Sequence, residues 1–360
     1  MLARTLLFCL VATATHAAAQ DRIDRTHGAS IAGVEIVEES HRGVTYKRGT
    51  TAPKTIAADL VADVVRKDMP PVLREGKSKA QAKELAEAEG LLLLAVADAK
   101  APWMKEYASF YLAEVQRQLG KMALATKNYE QVLAVKPDSR FLPQVRLGLA
   151  RTSASEGKHE VAVGILQAFL KEVDTLKLPR SFALEAQRTL GEVQLRRGNF
   201  ADAARQFDGV ATEAKALLAR APDDEKPSLR RLELIAMRDR ASALIGDKKY
   251  GEAEALLGSL RAEKEDLARA IHLIGQGELL LGKGEADLAR VFLSRAVVTS
   301  AAAQAELPRA LLLLGTNYLA LKDKGEKGAG KMAAIYLANV VQRYAGTDEA
   351  KAAEALQKRL

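Results

Sequence analysis

The sequence predicts a mainly α-helical solenoid of antiparallel helix pairs, preceded by a small β-rich module. Three observations predict it. From Lys79 onward alanine, leucine, glutamate, lysine and arginine dominate, all good helix formers. Within that stretch one spacing recurs: a glycine or basic turn, a small residue about five positions later, and larger apolar residues about nine and twelve positions later. Before it, between Asp21 and about Asp68, short runs rich in β-branched residues alternate with glycine-marked bends.

The first twenty residues read as a secretory signal. Arg4 gives a charged start, Leu6 to Ala12 is a short apolar run, and Ala17-Ala18-Ala19-Gln20 precedes the polar Asp21. The apolar run is far shorter than the roughly 20 residues that a membrane span needs. Cleavage is expected after Ala19 or Gln20, which places the mature chain in the periplasm or the medium. Cys9 is the only cysteine and lies inside this segment, so the mature chain has no thiol for a disulfide or a metal. A chain of 360 residues buries enough core to do without disulfides.

Fifty-four basic and 46 acidic residues leave a formal charge of +8. The charges are interspersed, as on a solvated helix face. There is no concentrated basic stripe with interleaved aromatics, so nucleic-acid binding is not expected. No later stretch is apolar for long enough to give a stable membrane span in the mature chain.

Residues 21–68 form the β-rich module. Val34 to Glu38 and Gly43 to Lys47 are strand candidates joined by a polar turn, with Thr55 to Ala57 and Val61 to Val65 as two further short ones. About 45 residues bury little surface alone, so the module is expected to lean on the first helices. Met69-Pro70-Pro71 is read as its end. The solenoid is assigned to 79–360, with Lys79 to Ala99 as one long helix and Pro102 opening the next.

The repeat is carried by Ala125 and Tyr129 after Gly120, Ala162 after Gly157, Ala203 and Phe207 after Gly198, Ala253 after a basic turn, and Ala289 after Gly284. The small residue admits the partner helix and the larger one fills the groove beside it. The preceding helices pair a large residue with a small one: Leu112-Ala113, Leu149-Ala150, Leu190-Gly191 and Leu314-Gly315. This pattern resembles the tetratricopeptide repeat family, whose unit is 34 residues. Gln187 to Lys215 matches best, and the resemblance covers roughly 105 to 350. It implies a right-handed superhelix with an inner groove that holds protein or peptide segments. Two departures stand out. The anchor alanines are 36 to 50 residues apart, and Ser109, Arg146 and Gln187 occupy the place of the family's early aromatic. The lysine and asparagine clamp that grips a peptide carboxylate in some members has no counterpart. The N-terminal strands are similar to short barrel-like modules that open exported bacterial repeat proteins, planctomycete-type ones among them.

A search for chemistry finds little. His27, His41, His159 and His272 are far apart, with no paired spacing of metal ligands. Gly328-Ala329-Gly330-Lys331 continues to Met332 and follows no strand, unlike a phosphate loop. No nucleophile elbow or assembled triad is visible, and no cofactor is implied. The loop from Ala221 to Ser228 and the Lys322 to Lys331 insertion are read as connections. The residues from Ala334 to Leu360 are read as a cap on the solenoid.

Candidate groove residues are first-helix side chains that point away from the core: Glu114, Arg117, Arg146, Arg151, Gln187, Glu192, Arg196 and Arg238. Arginine suits carboxylates and flat contacts. The expected function is that of a non-enzymatic scaffold for envelope or secreted proteins. Binding of polysaccharide or other surface material, and an enzyme with an unrecognised site, are the alternatives.

Overall fold

A computed structural model describes residues 20–299 and 303–360. The signal segment, Met1 to Ala19, lies outside the described residues. The chain begins with five strands, β1 (Asp21–Arg25), β2 (Ile31–Ser40), β3 (Gly43–Lys47), β4 (Lys54–Ala57) and β5 (Val61–Val65). They form one antiparallel sheet in the order β4-β3-β2-β1-β5. The sheet is open, with β4 and β5 at its edges, so the barrel-like expectation is corrected. Alternation sends Ile23, Val34, Ile36, Val44, Ile56 and Val64 to one face. That face shares a single core with the first helices.

Seven helix pairs follow: α1 (Pro71–Gln81) with α2 (Leu85–Ala97), α3 (Pro102–Gln118) with α4 (Met122–Val135), and α5 (Leu142–Ser155) with α6 (His159–Leu176). Then come α7 (Arg180–Arg196) with α8 (Phe200–Leu218), α9 (Lys226–Gly246) with α10 (Tyr250–Ser259), α11 (Asp266–Gly282) with α12 (Ala286–Thr299), and α13 (Leu307–Asp323) with α14 (Ala329–Arg343). A last helix, α15 (Asp348–Gln357), packs on α13 and α14 as the expected cap. Successive first helices touch one another more closely than successive second helices do, and the array curves with the first helices inside.

The repeat register is stricter than the sequence shows. In six pairs one residue of the turn has positive φ, Lys83, Gly120, Gly157, Gly198, Lys248 and Gly284, and the longer seventh turn has two, Gly325 and Gly328. Five residues later stands an alanine with no exposed surface, Ala88, Ala125, Ala162, Ala203, Ala253 and Ala289, and in the seventh pair Ala333 stands five after Gly328. Four residues after that stands a large side chain, equally buried: Leu92, Tyr129, Leu166, Phe207, Leu257, Leu293 and Leu337. The expected single helix from Lys79 to Ala99 is therefore two helices. Lys83, at φ 65°, supplies the turn that glycine supplies elsewhere, and Pro71 opens the first helix instead of only closing the strands. The Lys322 to Lys331 insertion likewise shrinks, because α13 runs to Asp323 and α14 starts at Ala329.

Small residues on the first helices receive these large ones. A Cβ on Gly191 would lie 2.6 Å from the Phe207 ring, and one on Gly315 would lie 2.8 Å from Leu337. Leu112 and Leu314 are buried as expected, whereas Leu149 and Leu190 are half-buried at the flanks of their contacts. In the third pair Gly148, not Leu149, faces Tyr129.

The sheet braces the edge of the array. The His41 amide donates to the Asp138 carbonyl between α4 and α5 at 2.9 Å. The Ser181 hydroxyl, on α7, donates to Asp59 at 2.7 Å, and Arg25 pairs with Asp224 ahead of α9 at 2.9 Å. At the seam between sheet and helices the side chains are ionic and buried. Glu39 receives Arg66 at 2.8 Å, Arg140 at 3.2 Å and the Tyr107 hydroxyl. Asp63 receives Lys77 at 2.8 Å and the Tyr111 hydroxyl at 3.0 Å. Burial pushes the Tyr107 phenol well up, and burial lowers the Lys77 ammonium despite its contact with Asp63.

Candidate functional site

The inner face is built from α5, α7, α9, α11 and α13, and its charges are largely paired with each other. Arg188, on α7, meets Glu192 at 2.6 Å, Asp239 at 3.1 Å and Glu185 at 3.3 Å. Arg238 bridges Asp239 at 2.7 Å and Glu306 at 2.6 Å. Arg309 meets Glu278 at 2.7 Å and the Ser242 hydroxyl at 2.6 Å. Burial opposes charge at Arg188, Arg238, Asp239 and Arg309. For Asp239 the neighbouring Arg238 and Arg188 prevail, and its carboxyl is held below the usual range. For Arg188 the carboxylates of Glu192, Glu185 and Asp239 prevail, and the guanidinium is more firmly protonated than usual.

Set against this network, the eight groove candidates divide. Arg238 is a member of it, with its guanidinium between Asp239 and Glu306. Arg146 is held by Glu172 of the neighbouring helix through two bonds of 2.9 and 2.6 Å. Glu114 and Arg117 pair with each other at 2.9 Å, and Tyr129 donates its hydroxyl to Glu114. Glu192 is engaged by Arg188. Arg151 makes only long contacts, 3.3 Å to the Thr189 hydroxyl and 3.8 and 3.9 Å to Glu185 and Glu192. Gln187 is half-exposed on α7, turned away from the face of Glu185, Thr189 and Glu192 that Arg151 meets.

Arg196 reports a contact that crosses the array. It reaches Asp348, at the start of α15, at 2.6 Å and the Ser155 hydroxyl at 3.4 Å. In the turn just before, Gly346 has φ 82° and lies against α3 and α2. A Cβ there would come within 2.9 Å of the Gln118 carbonyl and 3.1 Å of Leu85. The two ends of the array thus touch, and α15 covers part of the inner face. A cavity of about 270 Å³ remains beneath it, lined by Glu278, Arg309, Leu312, Leu313, Asp348 and Glu349.

Sequence reasoning missed Arg188, Asp239, Glu278, Glu306 and Arg309. Arg188 alone left a local signal, standing three residues after Glu185 and four before Glu192 on one helix face. The other partners come from different pairs and only the fold unites them.

Other candidates are accounted for locally. His272 bonds the Leu257 carbonyl through Nδ1 at 2.9 Å, His159 opens α6, and Trp103 lies under Arg66 at 4.8 Å. Among the described residues no group of three or more His, Cys, Asp or Glu side chains converges as metal ligands would. Among the same residues no helix is long and apolar enough to cross a membrane.

No family model matches the chain, and no curated protein matches it. Solved structures do. A Rap protein complexed with Competence and Sporulation Factor is 13% identical, covers 80% of this chain and 76% of its own, and has a TM-score of 0.50. A tetratricopeptide repeat protein from Parabacteroides merdae is 18% identical over 80% of this chain and 96% of its own, with a TM-score of 0.49. The quorum sensor NprR from B. thuringiensis is 14% identical over 80% and 85%, at 0.48. Likeness at such identity concerns the fold alone. The recurring helix-pair register, with the fold-level likeness to the Rap protein, makes this chain a tetratricopeptide-like helix-pair solenoid with an open β-sheet at its N-terminus.

Proposed function

We propose that this protein is an exported, non-enzymatic scaffold that holds a protein or peptide of the cell envelope or the secreted fraction on the inner face of its array. The observation that carries the reading is the continuous polar wall built by α5, α7 and α9. Arg151 stands on it beside a fixed ionic network, with no short ion pair of its own. A wall already ordered by internal pairs loses little entropy when a segment lies along it. Arginine held loosely is the group best suited to exchange a weak internal contact for a partner's carboxylate.

Charge reversal at this position tests the proposal. Arg151→Glu is expected to weaken capture of an envelope partner more than tenfold, with the melting curve little changed. Equal capture by variant and wild type contradicts it. Export is tested separately. Protein recovered from periplasm or medium is expected to begin at Gln20 or Asp21, and recovery of an intact Met1 on a cytoplasmic protein contradicts export.

A further inference from the structure

The fifth pair is built differently from the other six. Its second helix, α10, has 10 residues, against 13 to 19 in α2, α4, α6, α8, α12 and α14. A second helix normally covers the first helix of the next pair. Where α10 stops, the described residues leave open one face of the N-terminal half of α11 and of the C-terminal half of α12. The result is a cleft of about 880 Å³ on the outer side of the array. One turn of helix, about 10 Å wide with a 5.4 Å pitch, fills roughly 420 Å³. The cleft therefore has room for about two turns, roughly the length by which α10 falls short of its longer counterparts.

Its lining has a definite chemistry. Leu273 and Phe292 are half-buried and give it an apolar floor. Arg261, Arg269 and Arg295 stand exposed around it. Two carboxylates also line it, and both are occupied: Asp266 is paired with Arg269, and Glu254 with Lys283 at 3.0 Å. Among the described residues Arg261 and Arg295 have no carboxylate within ion-pair distance. That sets them apart from the inner-face arginines, nearly all of which are paired. The Nδ1 contact of His272 to the Leu257 carbonyl leaves its second ring nitrogen available to accept or, when protonated, to donate.

We propose that this cleft docks an acidic amphipathic helix of a partner protein, which continues the line of α10 and completes the fifth pair. Its apolar residues would lie on Leu273 and Phe292, and its carboxylates would meet Arg261 and Arg295. Two carboxylates one helical turn apart, at i and i+4, provide the matching charge. This surface lies away from the inner face, so the inference stands whether or not that face binds anything.

The test is a selection followed by titration. A display library of 18-residue helix-forming peptides of acidic, neutral and basic composition is panned on the full chain. Enrichment of peptides with paired Glu or Asp beside Leu or Phe is expected. Fluorescence anisotropy of the enriched peptides is expected to show at least a tenfold loss of affinity on Arg261→Glu with Arg295→Glu, and no loss on Arg151→Glu. The milder Arg295→Gln, read with a melting curve, separates lost docking from lost folding and is expected to show a smaller loss in the same direction. An absence of enrichment, enrichment of neutral or basic peptides, or equal binding by the cleft variants overturns the proposal. So does a cleft that takes single-stranded DNA and none of the acidic peptides.

Discussion

The seam beneath the β-sheet and the cleft beyond α10 use the same side chains in opposite ways. At the seam, Arg140 and Arg66 close on Glu39, Lys77 closes on Asp63, and Arg140 also lies over the Tyr107 and Phe141 rings. In the cleft, Arg261 and Arg295 line the same space as Phe292 and Leu273, with no carboxylate at ion-pair distance among the described residues. A buried charge that loses its partner is costly, because its desolvation is no longer offset. An exposed one that never had a partner costs little to keep and is available for binding. The difference teaches that arginine count says little about where this array binds. The pairing of each arginine says more.

Breaking the seam is the largest expected effect. Arg140→Met leaves Glu39 with one cationic partner in a buried site, and a loss of about 3–5 kcal/mol is expected in equilibrium denaturation. A midpoint equal to wild type would mean that the seam is not what fastens the sheet. Next comes the packing register. Gly191→Ala forces a methyl toward the Phe207 ring, and an overpacking cost of about 1–3 kcal/mol is expected in the same measurement. Leu190→Ala removes only a half-buried side chain and should cost less than removal of a fully buried leucine such as Leu314.

The inner network sharpens the comparison through pH. Asp239 has its folded pKa held below the unfolded value, so the unfolded chain binds the extra proton on acidification. Its contribution is complete above the ordinary aspartate range and is lost as pH falls through the folded pKa. Glu106 and Asp59 act the other way, since burial raises them and protonation relieves that cost. Stability followed by urea titration below pH 4 is expected to fall less steeply for Asp239→Asn than for wild type, from a lower starting value at neutral pH. Parallel acid limbs would remove Asp239 from the account. The smallest effect belongs to the turns. Lys248 occupies at φ 60° the place that glycine holds in five of the other turns. Lys248→Gly is expected to stabilise by about 0.5–1 kcal/mol, seen as a small rise in melting temperature.

Much of the fold was legible because each pair repeats its own local constraint. A positive-φ turn, an alanine and a large residue recur at fixed intervals, and Ala125, Ala162, Ala203, Ala253 and Ala289 all mark fully buried contacts. The first pair was not legible, because Lys83 makes a glycine-like turn without glycine and so hides the break between α1 and α2. The binding surface was legible only as a class of surface. Arg238 and Arg151 look alike in sequence, and only the fold brings Glu306 to 2.6 Å from Arg238 while leaving Arg151 with contacts of 3.8 and 3.9 Å. The crossing of Asp348 to Arg196 joins residues 152 apart in the chain and leaves no local trace. Nor could residue spacing show the cleft, since it arises from the shortness of α10 relative to neighbours distant in sequence.

The claim that unpaired arginines mark the binding surface while paired ones hold the fold is tested most directly by one denaturation series. The double variant Arg261→Glu with Arg295→Glu is compared with Arg140→Met and wild type. The account predicts that the cleft variant stays within about 1 kcal/mol of wild type, as two exposed substitutions should, while Arg140→Met falls by several kcal/mol. A cleft variant that loses as much stability as Arg140→Met would contradict the account, because its arginines would then be part of the architecture.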